Sequence, residues 1–81
     1  MTNREKLKKL LMDVFLLEED RFSFDLELSG IDSWDSLALV AMATGIEETF
    51  GYHMNPQEAN RIKRVQDIMD LLGTKGVHFD G

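Results

Sequence analysis

Ser36 is the residue of this 81-residue chain best placed to do chemistry. It is the second residue of Asp35-Ser36-Leu37, where a long acidic stretch gives way to the most apolar helical run of the chain. A hydroxyl in the first turn of a helix sits at the positive end of the helix dipole, beside backbone N–H groups that lead no helical bond. That place favours a phosphate ester over a catalytic nucleophile. We therefore read Ser36 as the attachment point of a prosthetic group. An enzymatic role would need a positioned base. His53 and His78 are the two histidines, and neither has an obvious orienting acid in the sequence. The carboxylates Asp32, Asp35, Glu47 and Glu48 can attract divalent cations. The stretch lacks the glycine and ligand spacing of an EF-hand, so no metal site is assigned. No residue is assigned a catalytic role, and the chain is not expected to be an enzyme.

Composition narrows the classes further. Eighty-one residues suffice for one small domain with one modest core. Cysteine is absent, so neither disulfides nor thiolate ligands support the fold. The formal net charge of −6 argues against nucleic acid and favours partners with basic docking surfaces. No run is long enough to span a membrane and no signal-peptide pattern is present. The expectation is a cytoplasmic monomer with no membrane partner.

The elements that must position Ser36 follow from periodicity. Thr2-Asn3-Arg4-Glu5 fits a capping box, and Leu7, Leu10, Leu11 and Val14 recur at helical spacing with Phe15 beside them. Helix one is expected over residues 3–16. Its Arg4, Lys6, Lys8 and Lys9 read as a solvated face, with docking of an acidic partner as the alternative. The stretch Leu17 to Asp35 is acidic, and Phe22, Phe24, Leu26 and Leu28 alternate with polar residues in it. The period is that of a half-buried strand, but no second strand is legible to pair with it. The preferred reading is an extended loop that tucks alternate side chains over the open end of a helical bundle. Helix two is expected from Ser36 to Phe50, capped by Asp35 or Ser33 and stopped by Gly51. Leu39, Met42, Ala43, Ile46 and Phe50 form its apolar stripe. Asn55-Pro56-Gln57-Glu58 opens a short third helix, to about Ile62. Val65, Ile68, Met69 and Leu72 mark a fourth, from about Arg64 to a stop at Gly73. The expected fold is an all-α four-helix bundle over residues 1–73, with a long first loop and a short third helix. The tail, 74–81, lacks periodicity and is expected to be mobile.

Asp35-Ser36-Leu37, the helix ending Ile46-Glu47-Glu48-Thr49-Phe50-Gly51, the Asn55-Pro56-Gln57-Glu58-Ala59 start and Val65-Gln66-Asp67-Ile68 together resemble acyl carrier proteins and the related peptidyl carrier domains. The resemblance runs from helix one to Leu72. It implies a discrete carrier whose Ser36 is esterified with 4′-phosphopantetheine from coenzyme A by a magnesium-dependent phosphopantetheinyl transferase. The arm's thiol would then hold an acyl or aminoacyl group as a thioester, loaded by a ligase or acyltransferase and passed to synthase enzymes. By the same resemblance Asp35 contributes to the metal environment during transfer and Leu37 is an apolar contact for the transferase. The space between helices in the family can shelter an acyl chain, and Ala43 beside Ile46 leaves room for one. Two other readings stay open: a helical interaction module acting unmodified, and an esterase-like enzyme using Ser36.

The chain departs from the fatty-acid carriers of this family on helix two. Their exposed face is studded with carboxylates; here Ala38, Ala41 and Gly45 stand at i, i+3 and i+7, with acids only at Glu47 and Glu48. Read sharply, these small residues form a smooth strip for close approach by a partner; read blandly, they fill exposed sites. The partner-binding set is taken as Asp35, Leu37, Ala38, Val40, Ala41, Thr44, Gly45, Glu47 and Glu48, and a specialised biosynthetic pathway is expected. Lys63-Arg64 replaces the family's capping threonine before helix four. Trp34 stands where many members have a small residue; it is expected to cover the loop–helix junction, with contact to the arm or a partner as the alternative.

Overall fold

Among the described residues each of the four α-helices begins where a side chain can satisfy a free backbone N–H, and these starts fix the architecture. A computed structural model describes residues 2–79 as α1 (Asn3–Phe15), α2 (Ser36–Phe50), α3 (Pro56–Arg61) and α4 (Val65–Thr74). This is the all-α order the sequence predicts. Thr2 Oγ1 accepts from Glu5 N at 3.2 Å while Thr2 N donates to the Glu5 carboxylate at 3.3 Å. Asn55 and Glu58 repeat the exchange at α3, at 2.8 and 3.2 Å. Asp35 caps α2 by accepting from Ala38 N at 2.8 Å. At α4 the missing threonine is replaced from the other side. Asp67 reaches back to accept from Lys63 N and Arg64 N at 3.0 and 3.1 Å, and Val65 N donates to Leu26 O at 3.1 Å.

That last bond shows what the long first loop does. Between α1 and α2 the chain makes two short 3-10 turns, Glu19–Arg21 and Leu28–Gly30, and one antiparallel bridge from Glu27 to Arg64. No strand forms among the described residues. Leu28 is fully buried, and Phe22, Phe24 and Leu26 lie half-buried against the core. The alternation in the sequence is therefore real, but it serves a loop laid over helices. Burying Leu28 alone is worth about 1.5–3 kcal/mol.

Three helices stop in the left-handed region, at Leu16 (φ 55°), Gly51 (φ 76°) and Gly76 (φ 90°). At the C-terminal stop, Gly76 N donates to Gly73 O (3.2 Å) and Val77 N to Leu72 O (3.0 Å). This is a Schellman arrangement. The expected stop at Gly73 is thus corrected: that glycine lies inside α4, and Gly76 has the conformation that ends it. Leu16 has no glycine's freedom, and holding an L-residue there costs about 1 kcal/mol.

Leu7, Leu11 and Phe15 of α1, Met42 and Ile46 of α2 and Val65, Ile68 and Leu72 of α4 are fully buried around Leu28. No polar or charged side chain is buried among the described residues. α1 and α2 run antiparallel. Gly45 faces Leu10, while near the other end of the pair the Ser33 hydroxyl donates to Phe15 O at 2.8 Å. The Trp34 ring stacks on Phe15 with centroids 5.6 Å apart, so it covers the junction between loop and helix.

The tail makes contacts with both long helices. Asn3 Nδ2 donates to His78 O at 2.7 Å, Arg4 Nε donates to Phe79 O, and the Phe79 ring meets Phe50 edge-on at 5.8 Å. Val77 and Phe79 lie half-buried against the core. As far as Phe79 the tail thus lies against α1 and α2; Asp80 and Gly81, which belong to the stretch expected to be mobile, lie outside the described residues. Alternating apolar residues at Val77 and Phe79 were the available signal, too short to read as periodic.

Candidate functional site

Ser36 is the first residue of α2 and is exposed. Asp35 uses one carboxylate oxygen to cap Ala38 N, which leaves the other free beside the serine. The N–H groups of Ser36 and Leu37 precede the first helical bond, from Leu39 N to Asp35 O. The hydroxyl thus sits where unpaired donors and the helix dipole both favour a bound phosphate.

A groove begins at this serine. It lies between α2 and α3, has a volume of about 540 Å³, and is lined by Ser36, Leu39, Val40, Ala43, Thr44 and Glu47 on one side. Met54, Pro56, Ala59, Asn60 and His53 line the other. The groove exists because α3 is only six residues long and cannot cover the length of α2. Ala43 contributes a small side chain where a larger one would fill the space.

His53 lies at the far end. Its Nδ1 pairs with the Glu47 carboxylate, a partner that sequence inspection did not find because the two are joined only through the turn after α2. Glu47 is eleven residues beyond Ser36, about 16 Å at the rise of an α-helix. A base at that distance cannot take the serine's proton. His78, whose carbonyl is held by Asn3, belongs to the tail. Among the described residues Ser36 therefore has no histidine beside it, and its neighbour Asp35 is engaged as the helix cap.

Glu58 fixes α3 at the groove's rim. The Tyr52 hydroxyl lies 2.6 Å from both Glu58 carboxylate oxygens and donates to that carboxylate. The bond from Tyr52, and then that from Asn55 N, holds the Glu58 pKa below its ordinary value. The same carboxylate pushes the Tyr52 pKa up.

The expected partner strip does not survive as a surface. Ala38 is only 9% exposed, and Gly45 faces α1, where an added methyl group would overlap Leu10 Cδ1. Both are small because α1 comes close. Ala41 alone of the three is exposed. The side of α2 that meets solvent carries Leu37, Val40, Ala41, Thr44, Glu47 and Glu48, with Leu37 81% and Val40 65% exposed. Asp35 is exposed at its head. Leu16, expected inside helix one, instead follows its last residue in the left-handed region and is 84% exposed.

No protein-family model matches the chain. Among curated proteins it is similar to the acyl carrier protein of Coprothermobacter proteolyticus, at 31% identity over 68 residues, 84% of this chain and 83% of that one. It is also similar to the acyl carrier protein of Petrotoga mobilis, at 31% identity over 71 residues, covering 88% and 84%. That of Thermosynechococcus vestitus follows at 28% identity over 71 residues, covering 88% of each. An exposed serine at the head of α2, a groove opening beside it and relatives that match over most of both chains lead to one conclusion: the chain belongs to the acyl carrier protein family and has an acyl carrier role.

Proposed function

We propose that this protein carries acyl intermediates as thioesters on a 4′-phosphopantetheine arm attached to Ser36. The observation that supports this reading is the serine itself: exposed, at the positive end of α2, with no histidine beside it among the described residues and a groove leading away from it. In the modifying step Ser36 Oγ bonds to the pantetheine-bearing phosphorus of the coenzyme A diphosphate as that phosphorus loses its bond to adenosine 3′,5′-bisphosphate. The proton passes to a base of the transferase. The bound arm supplies the thiol that this cysteine-free chain lacks. The chain's own residues present the site. Asp35 holds the first turn rigid, and its free oxygen is available to the magnesium ion that accompanies coenzyme A. Leu39, Val40, Ala43, Met54 and Ala59 offer an apolar bed for cargo.

Incubation with coenzyme A and a broad-specificity phosphopantetheinyl transferase should raise the intact mass by one phosphopantetheine, and Ser36→Ala should abolish the gain. An unmodified wild type with several such enzymes refutes the reading.

We further infer that the pathway is a specialised one in the cytoplasm, with an acyl-loading ligase or acyltransferase upstream and synthase enzymes downstream. Support comes from the exposed face of α2, which carries no charge between Leu37 and Thr44. No helix among the described residues is long and apolar enough to cross a membrane. Enzymes of general fatty-acid synthesis should turn over the holo-protein at least tenfold less efficiently than their own carrier; equal kcat/KM counts against specialisation.

A further inference from the structure

We propose that Leu16 is a contact residue for the enzyme that esterifies Ser36, paired with Leu37 as the second of two apolar knobs at this end of the bundle. The inference rests on the carrier reading of Ser36.

The first observation is conformational. Of the three left-handed helix stops, two use glycine and only Leu16 does not. Its backbone is strained, yet its side chain is the most exposed large apolar group described. Glycine or asparagine at this position would relieve the strain and forfeit almost no packing. The fold gives no reason for a leucine, so its side chain serves something outside the fold.

The second observation is placement. The exposed large hydrophobics among the described residues are three: Leu16, Leu37 and Val40. Apolar residues scattered singly over a surface mean little. These are gathered at one end. Phe15, the neighbour of Leu16, accepts a hydrogen bond from Ser33 and stacks on Trp34, so the end of α1 lies against the segment that runs into Ser36. On α2 the row Leu37, Ala41, Gly45 leads down to the contact with Leu10 of α1. Leu37 stands on the solvent side of α2, between the α1 contact and the groove, and neither it nor Leu16 lines the groove. A partner gripping the two leucines covers the serine's end of the bundle and leaves the groove open.

The third is charge. Glu18, two residues beyond Leu16, and Asp32 and Asp35, which flank the Ser33 bonded to Phe15, are exposed at this end. The surface that fits is an apolar pocket with a basic rim. The modifying enzyme is the partner that must close on this end, since its active site has to receive the Ser36 hydroxyl itself. Enzymes that act on cargo meet it an arm's length away.

The test compares wild type, Leu16→Gly and Leu16→Met as substrates of a broad-specificity phosphopantetheinyl transferase with coenzyme A, following initial rates by intact mass. Leu16→Gly should raise KM about fivefold with kcat little changed. Its thermal midpoint should be unchanged or higher, because strain is relieved. Leu16→Met, which keeps an apolar side chain on the same backbone, should restore KM to within about twofold of wild type. Equal KM for wild type and Leu16→Gly overturns the inference while leaving the carrier reading intact. So does a KM raised equally in the glycine and methionine variants. A wild type that is never modified overturns both.

Discussion

The two flanks of α2 meet their neighbours in opposite ways. Toward α1 the contact is closed: Ala38 and Gly45 have side chains small enough for the helices to approach until Leu10 lies against the Gly45 backbone. Toward α3 it is open: six residues of helix face fifteen, and Ala43 leaves the gap unfilled. Small residues thus do contrary work on one helix. On the α1 flank they remove space, and on the α3 flank they keep it. The short helix leaves the α1 flank packed and the α3 flank an open groove.

Substitution by larger side chains should break this contrast in a graded way. Gly45→Val places branched bulk against Leu10 and should cost about 1–3 kcal/mol in denaturant unfolding. Leu10→Ala should recover part of that loss, giving a favourable coupling in a double-mutant cycle. Ala43→Leu adds more volume but into open space. It should change stability by less than about 1 kcal/mol while reducing the uptake of an apolar fluorescent probe. Equal costs for the two would mean that the flanks are not distinct.

The smallest effect sharpens how the open flank is held. Glu58 has a lowered pKa in the fold, so its contribution to stability is present above its ordinary 4.5 and is lost as pH falls through the folded value. Tyr52 has a raised pKa, so its contribution is present below its ordinary 10.0 and is lost as pH rises through the folded value. The Tyr52–Glu58 link therefore acts between these limits. Tyr52→Phe should flatten the pH dependence of the denaturation midpoint at both ends. Acid sensitivity should remain in part, because Glu5 is also lowered, chiefly by its bond from Thr2 N.

Much of this was legible in residue order. Thr2, Asp35 and Asn55 announced three helix starts because capping uses only neighbours in sequence. Ser36 was legible for the same reason, as a serine beside an aspartate at a helix head. Leu28 was placed correctly in a loop over the bundle because nothing else could pair with it as a strand. The errors share a cause. A helical wheel puts Ala38 and Gly45 on the surface because it shows which residues share a side, not which neighbour lies there. Glu47 was not matched to His53, nor the tail to Asn3 and Arg4, since those partners meet only after the chain turns back. Leu16 went unnoticed because its significance is a backbone angle.

By itself, then, the sequence determined four helices, their caps and the serine at the head of the second, because these depend on interactions within a few residues. Only the tertiary structure decided which flank of α2 is closed and which open, where the tail docks, and that Leu16 stands exposed beside the road to Ser36. Those outcomes depend on how closely two helices approach, and that distance is set by side chains far apart in the chain.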